Sequence, residues 1–144
     1  MTEPPRAMPR AVRLRDVPAN RRRGGDIRVV LGPKTAGATT GFLGVLTLLG
    51  GEHVSEHYHP YSEEFLYVVR GAVTVRVDGA DTPVAAGEGL LVPIGARHRV
   101  TNLAAEPAEV VFHLCPLAPE PSLGHVDTEE LPHPEAPHPE IARV

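Results

Sequence analysis

The sequence predicts an all-β domain of the jelly-roll type, for three reasons. Short runs of valine, leucine and other strand-forming residues are separated by glycine and proline throughout the middle of the chain, as in small closed barrels. Long runs of apolar residues with the helical period are absent. The 144 residues are enough for one domain with a substantial core, but not for two. Because aromatic residues are scarce, the core should consist mostly of valine and leucine.

The positions of these glycines and prolines divide the chain into the following expected elements, in chain order. Residues 1–26 contain seven arginines and several prolines, so we expect a basic, extended N-terminal arm. About eight short strands should form the barrel, which spans residues 27–115. The clearest of them are residues 27–31, 42–49, 64–70, 72–77, 89–92, 98–103 and 109–114. Gly71 has the position of a tight hairpin turn between two of these strands, and Asp78-Gly79 supplies the next turn.

Residues 116–144 form a tail rich in proline and histidine. Proline at this density excludes the interiors of helices and sheets. We therefore expect extended chain that packs on the barrel or on a neighbouring subunit. Its histidines, at positions 125, 133 and 138, are expected to be surface or hydrogen-bonded core residues and not ligands.

Composition narrows the class of protein. The single cysteine, Cys115, excludes an internal disulfide. The N-terminus lacks the apolar core of a signal peptide, and no apolar run is long enough to cross a bilayer. We therefore expect a soluble cytoplasmic protein that binds no membrane. Nine of the 14 basic residues lie in residues 1–34, but without the motifs or interleaved aromatics of a nucleic-acid-binding protein.

Two histidine-containing strings indicate a metal site. They read Gly51-x5-His57-x-His59-x4-Glu64-x6-Gly71 and Gly87-x5-Pro93-x-Gly95-x2-His98-x3-Asn102. Because a strand places alternate side chains on one face, His57 and His59 can point the same way into a barrel. Glu64 and His98, from neighbouring strands, can join them around one ion. Imidazole and carboxylate ligands suit Zn, Fe, Mn or Ni, and the sequence does not choose among them.

The ligand set has two open points. Glu63 shares strand parity with the first two histidines, whereas Glu64 has the motif spacing, so a bulge near Pro60 must decide between them. His113 lies on a strand that alternates, and if it faces inward it can supply a fourth imidazole. It would then displace the glutamate and free that carboxylate for proton transfer. Otherwise His113 is a hydrogen-bonded core histidine.

The two strings resemble the two motifs of the cupin superfamily. The matching segments are GEHVSEHYHPYSEEFLYVVRG and GEGLLVPIGARHRVTN, separated by a 15-residue spacer, residues 72–86. The resemblance covers about residues 40–115 and implies a double-stranded β-helix, the cupin form of the jelly-roll barrel. It also implies that His57, His59, Glu64 and His98 are metal ligands.

A narrower resemblance points to an activity. The segments RVVLGPKTAGATTGFLG and HYHPYSEEFLYVVRGA are similar to the single-domain cupin cyclases of aromatic polyketide pathways, of the tetracenomycin and resistomycin types. The short length fits the resistomycin type closely. This resemblance implies a metal-dependent polyketide cyclase, a lyase of antibiotic biosynthesis that directs aldol-type ring closure and aromatisation of a linear poly-β-ketone.

That chemistry assigns roles to further residues. A metal ion with open coordination positions can stabilise the enolate of a 1,3-diketone, and since no redox step is needed, zinc suffices. The candidate general bases are a metal-bound hydroxide and a carboxylate that does not bind the ion, Glu63 or Glu64. Tyr67 and Phe42 are candidates for the lining of an apolar cavity that holds the substrate in one register. Arg76, like Arg70, can hydrogen-bond ketone oxygens if its side chain faces inward.

The sequence also allows other functions, and it indicates possible partners. The same ligands serve Fe(II)-dependent cupin dioxygenases and non-catalytic cupins that bind small molecules, whereas the arginine spacing gives no support to a sugar-phosphate isomerase. The resemblance implies a substrate tethered to an acidic acyl carrier protein, and we expect Arg21, Arg22 and Arg23 to contribute to its docking. Extended arms often pair edge strands, so a homodimer is the expected assembly.

Overall fold

The structure, a computed structural model, describes residue 3, residues 8–139 and residue 141. In this part of the chain, ten strands make up nearly all of the regular structure. In order they are β1 (Asp26–Leu31), β2 (Phe42–Leu48), β3 (His53–Tyr58), β4 (Glu63–Arg70), β5 (Ala72–Val77), β6 (Ala80–Ala85), β7 (Gly89–Val92), β8 (His98–Thr101), β9 (Ala108–Cys115) and β10 (Val126–Asp127). One short helix, α1 (Pro33–Ala36), and two 3-10 turns, Leu14–Asp16 and Pro121–Leu123, complete the set. The predicted all-β class is confirmed.

The strands form two antiparallel sheets of five strands each. Their orders are β1-β2-β9-β4-β7 and β10-β3-β8-β5-β6. Strand alternation turns one face of each sheet inward: on β9, for example, Val110, Phe112 and Leu114 are buried. The inner faces of both sheets share one apolar core, composed mostly of valine and leucine as the composition predicts. No helix of the described residues has the length and apolar character needed to span a bilayer.

The connections differ from the prediction at one point. The turn at Asp78-Gly79 joins β5 and β6 as a hairpin, with Val77 opposite Ala80. At Gly71, by contrast, the chain passes from one sheet to the other, because β4 pairs with β7 and β9 while β5 pairs with β6 and β8. The predicted hairpin is therefore wrong. Gly71 has a φ of +75°, and a Cβ atom there would lie 2.6 Å from the carbonyl oxygen of Pro107, so the crossing requires glycine.

The tail lies against the second sheet, whereas the arm contacts both sheets, through Asn20 opposite Ile27 of β1 and through the carbonyl oxygen of Arg23, which accepts from Ser55 of β3. β10, in the tail, pairs with β3, so that Asp127 stands opposite His57. The arm contacts the tail in turn, since the backbone N–H of His133 donates to the carbonyl oxygen of Arg22 at 3.2 Å. Consequently the tail packs on the barrel of its own chain, beside the strand that carries the first predicted ligand.

Candidate metal centre

Three histidines converge between two neighbouring strands. His57 lies on β3, His98 is the first residue of β8, and the two stand directly opposite each other in the antiparallel pair. His59 follows the end of β3 by one residue and returns to the same side. One ring nitrogen from each of the three lies within 4.8 Å of the others. The ring centroids are 4.4 to 5.2 Å apart, so the rings surround one point.

Backbone carbonyls orient all three rings in the same way. The Nδ1 atoms of His57, His59 and His98 contact the carbonyl oxygens of Ser55 at 2.7 Å, Gly124 at 3.0 Å and Ala96 at 3.0 Å, respectively. Because a carbonyl oxygen only accepts, each Nδ1 carries a hydrogen, and in the neutral form of each ring Nε2 then keeps its lone pair. A hydrogen bond of this kind on the far nitrogen is typical of histidines that bind metal.

Glu64 is the carboxylate that joins them. Its Oε2 atom lies 2.7 Å from Nε2 of His98 and 3.8 Å from Nε2 of His59. The residues between His59 and β4 leave the strand conformation, which changes the parity and turns Glu64 inward. Glu63 lies on the opposite face of β4, which carries the exposed side chains of Phe65 and Tyr67. The motif spacing therefore identifies the inward carboxylate and strand parity does not.

The electrostatics favour neutral rings at His57 and His59 and an ion pair between His98 and Glu64. Burial lowers the pKa of His57 and that of His59, so both rings are neutral at pH 7. Burial alone would raise the pKa of Glu64, but the adjacent charge of His98 outweighs it and the net shift is downward. Burial likewise opposes the charged form of His98, yet Glu64 raises its pKa overall.

The unsatisfied atoms of the site fit a divalent cation. Among the described residues, Nε2 of His59, Nε2 of His98 and Oε2 of Glu64 are buried and have no aligned hydrogen-bond partner. Buried lone pairs of this kind are costly unless a cation or a donor binds them. The group formed by His57, His59 and His98 can hold a metal ion.

The cluster opens into a cavity of about 530 Å³. The inner faces of both sheets make its floor apolar, through Phe42, Leu46, Leu66, Val100, Phe112 and Leu114. The arm and the tail close its sides, through Val17, Pro18, Asn20, Pro121, Pro137 and Pro139. A volume of this size holds a small organic molecule, with the histidine cluster as the polar part of the wall.

Comparison with known proteins identifies the family. The cupin domain family matches residues 44–114. The polyketide synthase CurC of Streptomyces cyaneus is 56% identical over 121 residues, which cover 84% of this chain and 79% of that protein. The tetracenomycin polyketide synthase protein TcmJ of Streptomyces glaucescens is 46% identical over 130 residues, or 90% and 87% of the two chains. The chain belongs to this cupin family.

A solved structure agrees with the cupin fold. A predicted oxalate decarboxylase from Thermotoga maritima superposes on the cupin with a TM-score of 0.65, covering 75% of this chain and 100% of the other. Only 21% of the residues are identical, so this likeness shows the fold alone.

Four of the predicted site residues lie outside the cavity of the cupin. His113 is on the outer face of β9, since Phe112 and Leu114 face inward, and its ring centroid lies 5.8 Å from that of Phe65. It therefore cannot share an ion with His57. Tyr67 is 50% exposed on the outer face of β4, which it shares with Glu63. Arg76 is exposed and pairs with Asp81 at 2.9 Å. In each case the strand is as predicted, and the side chain falls on its outer face.

Two residues that the sequence pattern did not indicate also line the cavity of the cupin. Arg23 lines the cavity with only 7% of its surface exposed, although it belongs to the arginine cluster expected on the surface. His125, which was expected to have no role in the site, also lines the cavity. Burial, with the charge of Arg23, lowers the pKa of His125 to about 4. Neither residue carries a spacing signal, because the arm and the tail reach the barrel by irregular paths.

Proposed function

We propose that this cupin is a metal-dependent polyketide cyclase that directs aldol-type ring closure and aromatisation of a linear poly-β-ketone. The observation that carries the proposal is the convergence of three imidazole nitrogens and one carboxylate on the wall of a mostly apolar cavity. The names of the relatives CurC and TcmJ, both polyketide synthase proteins, support the substrate class.

His57, His59 and His98 would hold the metal ion. The chemistry that a bound divalent ion supplies is Lewis-acid polarisation of a ketone carbonyl. Three histidines with an open position suit zinc, and the reaction changes no oxidation state, so we propose Zn²⁺; the ligands also suit Fe²⁺, Mn²⁺ and Ni²⁺.

The residues of the cavity do the remaining work. Its apolar walls exclude water and hold the flexible chain folded, which makes the reaction effectively intramolecular. Glu64 accepts a proton at Oε2 from the methylene group between two carbonyls. The resulting carbanion attacks a more distant carbonyl carbon of the same chain. Glu64 then returns that proton to the alkoxide oxygen, which becomes a hydroxyl group. It next removes the second proton of the same carbon and delivers it to the hydroxyl, which leaves as water, and enolisation of the remaining ring carbonyls gives the aromatic ring.

The test is reconstitution with a synthase that produces the carrier-bound poly-β-ketone. We expect the zinc-loaded cupin to change the ring pattern of the products relative to the synthase alone. Removal of the metal by a chelator should abolish this change, and added zinc should restore it. An unchanged ring pattern with loaded protein would contradict the proposal. Oxygen consumption by the iron-loaded cupin would then indicate a dioxygenase, and binding without turnover would indicate a non-catalytic cupin.

We further propose that the substrate arrives on an acidic carrier protein that docks at the arm. Arg13 and Arg15 are exposed beside the 3-10 turn Leu14–Asp16. The Leu14 carbonyl of this turn accepts a hydrogen bond from Arg28, which in turn contacts Asp26. Two of the three arginines that were expected to dock the carrier protein are engaged within the protein itself. Arg23 is buried, and Arg22 donates to the carbonyl oxygens of Pro134 and Ala136 at 2.7 and 2.8 Å.

The double variant Arg13→Glu/Arg15→Glu tests this docking. At low salt we expect the KM for the carrier-bound substrate to rise about tenfold with little change in kcat, since exposed charges act mainly on association. The effect should shrink at high salt. The matched control is Arg70→Glu/Arg76→Glu, which makes the same change of charge at exposed sites elsewhere on the barrel. Equal KM values for the two variants would exclude the arm as the docking site.

A further inference from the structure

Arg23 is a buried cation beside the histidine cluster that the proposed mechanism leaves unused. Its side chain is 8% exposed, and the residue lines the same cavity as His57, His59 and His98. A guanidinium remains charged at any physiological pH, so burying it is costly unless its donors are paired.

The fold holds this guanidinium in place from two sides. On the backbone side, the carbonyl oxygen of Arg23 accepts from the N–H of Ser55 at 2.8 Å, and the carbonyl of Ser55 orients the ring of His57. The next residue, Gly24, passes so close to β3 that a Cβ atom would lie 2.0 Å from the carbonyl oxygen of His53. On the side-chain side, Nε of Arg23 donates to Oδ1 of Asp127 at 2.8 Å.

These contacts satisfy only part of the hydrogen-bonding capacity of the Arg23 guanidinium. The Nη2 atom of Arg23 is buried and has no hydrogen-bond partner among the described residues. A rigidly held N–H donor in the wall of a cavity calls for an oxygen acceptor from a ligand, and an anionic oxygen is the best match for a guanidinium. Asp127 does not remove this demand, because its hydrogen bond from Arg23 comes from Nε.

We propose that Arg23 binds a second oxygen of the poly-β-ketone, on a carbonyl or enolate beyond the one held at the histidine cluster. The inference rests on the proposed function, because it takes its ligand class from it. A poly-β-ketone carries an oxygen on every second carbon, so a chain with one oxygen at the cluster has further oxygens along its length. Two fixed points on one flexible chain select its fold, and Arg23 is thereby a substrate-binding residue that determines which carbons meet.

The total charge agrees with an enolate ligand. The charged side chains that line the cavity include the carboxylate of Glu64, the guanidinium of Arg23 and the ammonium of Lys34, and Asp127 pairs with Arg23, while imidazoles that bind a metal ion are neutral. With a divalent ion at the histidine cluster, the sum of these charges is positive. A site of this sign favours the enolate form of a 1,3-dicarbonyl over its neutral form.

The test compares two probes that differ in length. Acetylacetone has two oxygens, both of which the histidine cluster can engage, whereas 2,4,6-heptanetrione has a third. Their binding to the zinc-loaded cupin and to Arg23→Met is measured by calorimetry, with zinc content determined before and after. We expect Arg23→Met to bind the triketone about tenfold more weakly than the wild type does, and acetylacetone equally well.

Two further variants guard against misfolding. Arg23→Met/Asp127→Asn removes the whole ion pair, so that no buried carboxylate is left unpaired, and Arg23→Lys keeps the charge without the planar fork. Both should show the selective loss for the triketone, with the lysine variant affected less. Equal affinities of the wild type and the methionine variants for the triketone would overturn the role of Arg23 alone. If neither probe binds to the zinc-loaded wild type, the proposed function fails with it.

Discussion

The variant His57→Ala is expected to lose its metal and its cyclase activity together. One of three imidazoles disappears, and the two that remain lack the third side of the site. We expect zinc affinity to fall by about three orders of magnitude, because structural and catalytic zinc sites depend on the full ligand set. The apolar core does not include His57, so the barrel should remain folded. Elemental analysis after gel filtration, with the ring pattern of the products, measures both effects.

The chain provides a matched control for this variant. His113→Ala removes an imidazole of equal size from the outer face of β9, where it contacts Phe65. It should keep both zinc and turnover. Loss of zinc in His113→Ala, or stoichiometric zinc in His57→Ala, would show that the ion binds elsewhere.

The variant Glu64→Gln is expected to keep its metal but lose turnover. Glutamine has the shape of glutamate, so the packing near His98 is preserved, but the amide cannot accept a proton from the substrate. General-base catalysis contributes about 10²- to 10⁴-fold, and we expect a loss in this range. Binding of acetylacetone should persist, since the three imidazoles remain. Metal content, probe affinity and product yield separate these effects.

The result of Glu64→Gln also decides between two roles of the carboxylate. The resemblance to the cupin motifs implies that Glu64 is a fourth ligand, whereas the proposed mechanism makes it the base. If the glutamine variant loses zinc in parallel with activity, Glu64 is a ligand and another group must accept the proton. Glu63→Gln, on the outer face of the same strand, is the control and should behave as the wild type.

Local pattern predicted the elements well and the connections between sheets less well. The segment around Gly71 shows why. A strand, a glycine and a second strand are the same in sequence whether the chain folds back into a hairpin or crosses to the other sheet. The contact of Gly71 with the backbone of Pro107 decides the matter, and that contact joins parts of the chain far apart in sequence.

The candidate site shows the same division. The spacing of the three histidines and Glu64 indicated a common ion, because alternation along a strand is a short-range rule. Glu64 nevertheless comes from the opposite sheet, since β4 pairs with β7 and β9 and not with β3 or β8. The rule of alternation does not say which face of β9 turns inward, so the sequence left the role of His113 undecided. The burial of Phe112 shows that His113 lies on the outer face.

Sequence alone thus determined the all-β class, the cupin family and the residues that surround the proposed ion, since each depends on regular geometry within a few residues. Only the tertiary structure decided that Arg23 and His125 belong to the cavity and that Tyr67 and Arg76 do not. The arm and the tail have no regular period, and their positions depend on contacts such as that of Arg23 with Asp127, which lie more than 100 residues apart. Such contacts arise from the shape of the finished barrel, which no local pattern encodes.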